Sequence, residues 1–440
     1  NFQLLYIIQK YDSIQFVFEF HCNFMLSSLI ALASSANWAV LIAGSKGYKN
    51  YRHQADIFQI YKILVDRGFD NDHIITFAYD DIARLPENPF KDKVFNVKKG
   101  VNIYPGSAAI DYRGENVTAD NILNVLKGKK TSQTPKVLKS TKEDNVLVYY
   151  NDHGTRGLLC MPSGNGKYIS ADEFRDALSE VKHNKMLVAL EACYSASVGK
   201  HLISIPDTFT ICAANETESS YSYAYDNDIA TFRTNEFTNH LINFVLKNSK
   251  FSLLSLNKYM KEHVKGSRVM SYVNNSINEH VEEFFGKPSD FEENVDIPNY
   301  VPNGPSVQTT YTFIDYLKQR IKAAKTYNEK MAAKLDLYRE LRRRGHSKVI
   351  FKKILAPFST ENAKELSTEF PDDPKWKCYM NSVRLFQNRC GDIDEYEIQK
   401  IPAFARICEF NNEEDILARI RKVCPVKQWV RSEERRVGKE

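Results

Sequence analysis

The chain has 440 residues, 43% of them hydrophobic and 26% charged, and its formal net charge is +5. These values are typical of a globular protein with two or three domains. The sequence contains no Gly-rich phosphate loop, no paired zinc spacing and no aromatic RNA-binding motif. No apolar run approaches the ~18 residues of a membrane helix. We therefore predict no cofactor, no metal, no nucleic-acid partner and no membrane span.

Residues 1–36 are predicted to precede the folded domain. Met25 opens a short apolar stretch that ends in small residues at Ala36, as a secretory signal peptide does, although a positively charged start is missing. The aromatic-rich residues before Met25 are interpreted as upstream read-through or a fragment boundary, with an edge strand as the alternative. The pattern indicates the secretory pathway.

Residues 37–288 alternate between apolar runs and helical patterns. Helical spacing is found, for example, over residues 56–65 and 171–181. The predicted strands are residues 38–43, 73–78, 145–150, 185–190 and 207–213. Continuous apolar strands separated by helices predict an α/β fold with a mostly parallel sheet and helices on both faces. Ligands bind to such sheets beyond the carboxyl ends of the strands.

The rest of the chain divides into three parts. Residues 289–309 are rich in proline and asparagine without periodicity and are a predicted linker. Residues 310–430 have a helical pattern, and within them residues 310–353 hold 13 Lys or Arg against 4 Asp or Glu. Residues 431–440 are charged and aperiodic, which predicts a disordered tail or an artefact of the gene model.

Two predicted strands end in residues that carry chemistry. The third strand runs into His153 and Gly154, and the fourth runs into Cys193, 40 residues after His153. Parallel strands deliver these residues to one sheet edge, where an imidazole can act as the base for a thiol nucleophile. A neighbouring imidazolium also lowers the pKa of a thiol. The N–H groups of Gly154 and Cys193 would then form an oxyanion hole, because glycine lets the backbone approach a substrate closely.

Each residue alone has a structural explanation, since a single buried cysteine or strand-end histidine usually serves packing. Their joint placement at two strand ends favours a catalytic pair. Histidine before cysteine is the order of caspase-like folds, whereas papain-like enzymes have the reverse order.

Four segments in the same order resemble the legumain family, the asparaginyl endopeptidases of peptidase family C13 in clan CD. They are Asn50-Tyr-Arg-His-Gln-Ala-Asp56, Asn151-Asp-His-Gly154, Glu191-Ala-Cys193 and Ala213-Ala-Asn-Glu-Thr-Glu-Ser-Ser-Tyr221. The resemblance covers about residues 37–430 and implies a caspase-like cysteine peptidase domain over residues 37–288, followed by an all-helical prodomain. It further implies hydrolysis after asparagine through an acyl-enzyme, with proteins and peptides as substrates and cystatin-like inhibitors as partners.

The resemblance also assigns roles to individual residues. Cys193 would be the nucleophile, His153 the base, Asn50 the residue that orients the histidine, and Gly154 a donor to the oxyanion. Asp152 matches an aspartate that forms a succinimide in the family. The specificity pocket would be lined by Arg52, His53, Glu191, Ser219, Ser220 and Asn235.

The chemistry of this pocket suits an asparagine side chain. A carboxamide has one acceptor oxygen and two donor hydrogens, which the guanidinium of Arg52 and the carboxylate of Glu191 would satisfy from opposite ends. Aspartate would be cut only when one carboxyl is protonated, at acidic pH. The family usually has an acidic residue where this chain has Asn235, which weakens strict asparagine specificity unless Glu236 takes that place. The alternative for Arg52 and Glu191 is an exposed ion pair or a structural bridge.

The basic helical segment has two interpretations. It would cap a pocket that binds through carboxylates, and in the family such a prodomain blocks the active site until low pH releases it. The alternative is a solvated amphipathic helix. Self-cleavage is expected in or near the linker, after Asn299, Asn303 or Asn328, and the resemblance implies an acidic lysosome-like or vacuole-like compartment, or secretion.

Cys378, Cys390, Cys408 and Cys424 lie in one small helical region. An even set behind a signal peptide suggests two disulfides, and sequence alone allows three pairings. Zinc is the alternative, although a close Cys-x-x-Cys pair is missing. By the family pattern the pairs would be Cys378–Cys408 and Cys390–Cys424.

Three other functions fit parts of the pattern. The catalytic subunit of the GPI transamidase shares the fold and the dyad, but the Ser219–Ser220 segment and the cysteine-rich module argue against it. A legumain-type peptide ligase uses the same acyl-enzyme and stays open. An inactive homologue that acts as a binding protein is disfavoured because His153, Cys193, Asn50 and both pocket charges are present.

Overall fold

The computed structural model describes residues 36–97, 100–162, 167–248, 250–274, 279–288, 306–358, 370–391 and 393–425. The predicted upstream segment and signal peptide up to residue 35, linker residues 289–305 and the tail lie outside these ranges, so those interpretations stay predictions. Within the described ranges, no helix is both long and apolar enough to cross a membrane.

The strands follow the chain in this order: β1 Asn37–Ala43, β2 Ile74–Phe77, β3 Asn145–Asn151, β4 Gly154–Thr155, β5 Leu158–Cys160, β6 Tyr168–Ser170, β7 Lys185–Glu191, β8 Thr208–Cys212, β9 Tyr221–Asp226, β10 Thr231–Asn235, β11 Met270–Val273 and β12 Val307–Gln308. The α-helices are α1 Tyr51–Asp66, α2 Ala119–Leu126, α3 Ala171–Ser179, α4 Ala196–Gly199, α5 Glu236–Asn248, α6 Leu253–His263, α7 Glu282–Phe285, α8 Thr312–Ala323, α9 Tyr327–Leu355, α10 Trp376–Cys390, α11 Pro402–Phe410 and α12 Glu413–Val423.

A six-stranded sheet in the order β11-β8-β7-β3-β1-β2 forms the centre of the molecule. Its five predicted strands are mutually parallel, and the edge strand β11 pairs antiparallel with β8. The mostly parallel sheet is therefore confirmed. β11 was not predicted because its four residues are only partly buried and form no continuous apolar run.

Side chains of the central strands alternate between two cores, as the two-residue period of a strand requires. Leu41 and its neighbours on one face pack with α1, α5 and α6, whereas Val40 and its neighbours on the other face pack with α2, α3 and α4. Helices thus cover both faces, as predicted.

Two small sheets lie outside the central one, in the orders β10-β9-β12 and β4-β5-β6. The helical module, α8–α12, has a core of its own that includes Tyr379, Phe386 and Phe404 and continues into Leu158 and Tyr168 of the β4-β5-β6 sheet. The module is therefore packed onto the peptidase-like part through a shared apolar core.

Two disulfides tie the module together. Cys378–Cys408 links α10 to α11, and Cys390–Cys424 links the end of α10 to the end of α12. This is the pairing that the family resemblance implied. The free cysteines of the described residues are Cys160, Cys193 and Cys212, all of them buried.

Candidate active site

The register of β3 and β7 brings His153 and Cys193 to one edge of the sheet. Asn151 is paired with Glu191 at the ends of the two strands, so each chemistry-bearing residue follows its strand by the same two positions. A Cβ atom on Gly154 would lie 2.7 Å from the carbonyl oxygen of Cys193. Only glycine therefore permits this close approach of the two strand ends.

Cys193 lies in a tight turn. The next residue, Tyr194, has a φ of +57° and donates its N–H to the carbonyl of Glu218 at 2.8 Å. The left-handed conformation bends the chain immediately after the thiol. Cys193 Sγ is 3.8 Å from Ser220 Oγ and the residue is 3% exposed. Burial raises the pKa of the Cys193 thiol, which favours the neutral form in this covered site.

His153 is oriented by Asn50. Its Nε2 lies 3.0 Å from Asn50 Oδ1, while Asn50 Nδ2 donates to the carbonyl of Lys46 at 3.2 Å. Because the amide NH₂ is used on Lys46, the amide oxygen faces the ring and accepts a hydrogen from Nε2. Nδ1 is then the ring nitrogen left to act as a base. Burial lowers the pKa of His153 to about 3.

His53 and Asp152 lie against this histidine. The His53 ring meets His153 edge-on at 5.0 Å, and its Nδ1 is 2.7 Å from Ser45 Oγ and 3.0 Å from Asp152 Oδ1. His53, Asp152 and His153 form the group of potential metal ligands found among the described residues, with ligand atoms within 4.8 Å. The succinimide role of Asp152 stays a prediction.

The residues expected to line the pocket, Arg52, Glu191 and Ser219, are all buried, and Glu191 and Ser219 lie close to Cys193. Arg52 is 1% exposed, and its Nε donates to Asn235 Oδ1 at 2.9 Å. Among the described residues, Arg52 Nη2, Glu191 Oε2 and Ser219 Oγ are buried without a hydrogen-bond partner. These three polar atoms are therefore available to bond to a polar ligand.

The electrostatics of the pocket depend on its burial. Glu191 is 1% exposed, so the alternative of an exposed ion pair with Arg52 is wrong. Burial raises the pKa of Glu191 to about 8, and burial also lowers the pKa of Arg52. A polar ligand that bonds to both side chains would replace the water that they lose.

Asn235 belongs to a hydrogen-bond network that the sequence did not reveal. Its Nδ2 donates to Asp56 Oδ2 at 3.1 Å and to Asn151 Oδ1 at 2.9 Å. Asp56 also accepts from Thr234 Oγ1 at 2.5 Å and from Asn96 Nδ2 at 2.7 Å. The amide of Asn235 thus connects Arg52 to the carboxylate of Asp56 by hydrogen bonds. Burial raises the pKa of Asp56 to about 6. Asp56 lies one helical turn after Arg52, a spacing that could have placed both on the same face of α1.

Glu236 does not take the place of the expected acidic residue. Its carboxylate accepts the N–H groups of Lys265 and Gly266 at 2.9 and 3.1 Å. The side chain beside Arg52 is that of Asn235, so the alternative register is wrong.

The helical module reaches this site through Glu395. Its Oε2 is 3.1 Å from Lys49 Nζ, and Glu395 is 3% exposed. Arg343 holds the loop that carries Glu395 by ion pairs to Glu397 at 2.7 Å and to Asp394. A cavity of about 220 Å³ remains between module and sheet edge, lined among others by His153 and Glu395. The module therefore covers the candidate catalytic histidine.

Comparisons with known proteins agree on the family. The peptidase C13 family profile matches residues 37–287, and the legumain prodomain profile matches residues 339–424. The chain is 31% identical to a hemoglobinase of Schistosoma japonicum over 407 residues, which cover 88% of this chain and 92% of that one.

Two further similarities extend the comparison. A legumain of Bos taurus is 30% identical over 392 residues, covering 85% of this chain and 89% of the relative. Among solved structures, caspase-1 from Spodoptera frugiperda is similar with a TM-score of 0.33 and 12% identity, covering 58% of this chain and 92% of that chain. The chain thus belongs to the peptidase C13 family of cysteine endopeptidases and is built as a zymogen with a legumain prodomain.

Proposed function

We propose that the protein hydrolyses peptide bonds after asparagine, with Cys193 as nucleophile and His153 as base, and that its prodomain is released by acid. The observation that carries this proposal is the set of three buried, unpartnered polar atoms beside Cys193, on Arg52, Glu191 and Ser219. The legumain prodomain match supports a peptidase over a GPI transamidase subunit.

The mechanism follows from the positions of the two strand ends. His153 Nδ1 takes the proton of the Cys193 thiol, and Sγ attacks the carbonyl carbon of the substrate. The N–H groups of Gly154 and Cys193 stabilise the negative charge on the former carbonyl oxygen. The C–N bond then breaks as His153 returns the proton to the leaving amine, and water hydrolyses the thioester to a carboxylic acid.

Specificity would come from matching donors to acceptors. The carboxamide oxygen of asparagine accepts from Arg52 Nη2, and its NH₂ group donates to Glu191 Oε2 and Ser219 Oγ. A side chain that cannot do this leaves buried groups unpaired, at a cost of about 1–3 kcal/mol each. Aspartate places a second carboxyl group against Glu191, so it would be cut only when one of the two is protonated, and Glu191, whose pKa burial raises to about 8, would take that proton first as pH falls.

Autoactivation would occur in an acidic compartment of the secretory pathway, lysosome-like or vacuole-like, or after secretion. Asn328 is an exposed candidate for self-cleavage at the start of α9, whereas Asn299 and Asn303 lie outside the described residues. Cystatin-like inhibitors remain expected partners of the activated enzyme.

The test is cleavage-site profiling of the acid-treated full chain on a peptide library. We expect cuts mainly after asparagine, with aspartate gaining at lower pH, and hydrolysis of an Ala-Ala-Asn fluorogenic peptide. Cys193→Ala should abolish both activities. Cuts mainly after arginine or lysine would disprove the pocket assignment while leaving the dyad intact.

A further inference from the structure

We propose that the solvent-facing side of α9 is a docking surface for an anionic lipid membrane. This surface consists of an apolar outer row and the cations around it. The outer row contains Tyr327, Met331, Leu335, Tyr338 and Val349. The inference goes beyond the proposed function, because the surface uses no residue of the candidate active site.

The outer row concentrates exposed apolar side chains on one helix. Of the fourteen large hydrophobic side chains that are exposed among the described residues, six lie on α9, and five of these six recur at helical spacing. Their exposed fractions range from 45% at Met331 to 77% at Tyr327. From Tyr327 to Val349 the row extends about 33 Å along the helix axis, at about 1.5 Å per residue. Exposed apolar patches of this kind mark interaction surfaces.

The row lies on the side of α9 that does not pack against the rest of the protein. The buried side chains of α9 include Ala333, Arg344 and Phe351, and Phe351 belongs to the core of the helical module. At about 100° per residue, the outer row is on the opposite side of the helix. Packing of the module therefore explains the apolar residues on one side of α9 and leaves those on the other side to a partner.

The charges of α9 are divided between the same two sides. Its three acidic residues lie toward the buried side, and each accepts a hydrogen bond from a nearby residue of the module: Glu329, Asp336 and Glu340. Four exposed cations lie on the outer half of the helix with the row: Lys334, Arg342, Lys352 and Lys353. The outer face is thus apolar and positively charged, and no acidic residue of α9 lies on it.

This combination fits an anionic membrane better than a second copy of the chain. Two copies packed row against row would bring the four cations of each close to those of the other, and like charges oppose such an interface. In a membrane, the outer row would be buried at the boundary of the acyl chains, while the lysines and Arg342 extend to the anionic headgroups. Tyrosine suits this boundary because its ring is apolar and its hydroxyl is polar. The helix would lie in the plane of the membrane surface.

Cosedimentation of the full-length chain with lipid vesicles at neutral pH tests the proposal. Vesicles of phosphatidylcholine with about 30% phosphatidylserine should bind the chain at least roughly tenfold more tightly than vesicles of phosphatidylcholine alone. Binding should weaken as salt is added, because salt screens the attraction between the cations and the headgroups. Equal binding to the two kinds of vesicle would overturn the proposal, and so would no binding to either.

A triple variant tests the outer row without changing the charge. Met331→Gln, Leu335→Gln and Tyr338→Gln replace the centre of the row with a good helix former, and vesicle binding should fall at least roughly tenfold. Because all three side chains are exposed, the melting temperature should stay within about 2 °C of that of the unmodified chain.

The matched control removes three exposed apolar side chains from the peptidase-like part. Ile203, Phe251 and Leu254 are 50–55% exposed, and the variant with glutamine at all three should bind vesicles like the unmodified chain. Equal binding by the two triple variants would show that the outer row is not the docking surface.

A second pair of variants tests the cations and does not depend on the apolar row. Arg342→Gln with Lys353→Gln should weaken binding to the anionic vesicles by about fivefold for each cation removed. Lys129→Gln with Lys142→Gln makes the same change in net charge at exposed positions of the peptidase-like part, and it should have little effect. An equal loss in both pairs would mean that net charge drives binding, which would overturn the assignment to α9.

Sedimentation velocity separates the membrane from a second copy of the chain. The unmodified chain should remain a monomer at the concentrations used for vesicle binding. A dimer that the triple variant of the outer row converts to a monomer would assign the face to self-association and overturn the membrane surface.

Discussion

The pKa values of buried carboxyl groups are shifted in opposite directions at the sheet edge and at the prodomain contact. At the sheet edge, burial raises the pKa of Asp56 to about 6 and of Glu191 to about 8. At the prodomain contact, burial raises the pKa of Glu395, but Lys49, His153 and hydrogen bonds together outweigh burial and hold that pKa at about 2. Burial also raises the pKa of Glu397, but hydrogen bonds from Asp394, Arg343 and Ser347 and the charge of Arg343 together outweigh burial, so the pKa falls to about 2.

The sign of each shift decides what acid does. Raised carboxyl pKa values contribute stability at low pH that is lost as pH rises through the folded-state values, here about 6 and about 8. Lowered values contribute stability near neutral pH that is lost as pH falls below ordinary carboxyl values. The contribution of Asp394 to the pH dependence of stability has the opposite sign to those of Glu395 and Glu397, because burial raises the pKa of Asp394 to about 8. Protonation by acid therefore favours the folded state at Asp56 and Glu191, whereas it opposes the folded state at the buried His153 and weakens the contacts of Glu395 and Glu397.

The largest expected effect tests whether the catalytic residues lie at this edge of the sheet. His153→Ala removes the base, and we expect kcat at mildly acidic pH to fall by roughly 10²–10⁴-fold. His183→Ala is the control, since His183 lies before β7 at the opposite end of the sheet and bonds to the carbonyls of Val181 and Pro206. Equal activities of the two variants on the Ala-Ala-Asn peptide would refute the dyad.

The next effect tests the pocket. The guanidinium of Arg52 bonds to Asn235 through Nε and keeps Nη2 available for a ligand. Arg52→Lys keeps the positive charge but loses this forked arrangement of donors. We expect kcat/KM for asparagine substrates to fall by about 10–100-fold, which corresponds to one or two buried hydrogen bonds. Arg175→Lys, on the exposed part of α3, should leave kcat/KM unchanged. An unchanged value in Arg52→Lys would remove Arg52 from the pocket.

A smaller effect concerns stability and pH. Because Asp56 and Glu191 have raised pKa values, both favour the folded enzyme at pH 5 over pH 7.5, whereas His153, whose pKa burial lowers to about 3, opposes them. Glu191→Gln removes one of the favouring groups, since its amide does not titrate. The melting temperature at pH 5 minus that at pH 7.5 should therefore be about 5 °C lower in the acid-activated variant than in the unmodified enzyme. Differential scanning fluorimetry on the processed enzymes measures both differences. An equal or larger difference in Glu191→Gln would mean that the pKa of Glu191 is not raised.

The sequence predicted the parts of this molecule that local pattern controls. Continuous apolar runs identified the five parallel strands, and parallel strands necessarily bring His153 and Cys193 to one edge. The family resemblance supplied the expected pocket residues, and Arg52, Glu191 and Ser219 are all buried, each with a polar atom that has no hydrogen-bond partner among the described residues. These outcomes depend on strand direction and motif order, and both can be inferred from the sequence.

The rest depended on contacts between distant segments. Asp56 and Asn235 are 179 positions apart, and a polar residue in a helical pattern is ordinarily assigned to solvent. The two residues of β12 follow a linker without periodicity, so no strand signal existed. Glu395 lies in a short loop among other acidic residues, and only the docking of the module onto Lys49 gives it a role.

The smallest expected effect separates the electrostatic hold from the rest of the prodomain contact. Glu395→Gln keeps the size and one acceptor oxygen but leaves Lys49 without its buried counter-charge, so docking should weaken by about 1–2 kcal/mol near neutral pH. Acid activation, followed by the appearance of reporter hydrolysis, should then be several-fold faster and less dependent on pH. Glu409→Gln, in the same module but half-buried and bonded to the N–H of Lys375 instead of Lys49, should activate like the unmodified chain. Identical activation of Glu395→Gln and the unmodified zymogen would mean that the shared apolar core and the pairing of β12 with β9, and not this ion pair, hold the prodomain in place.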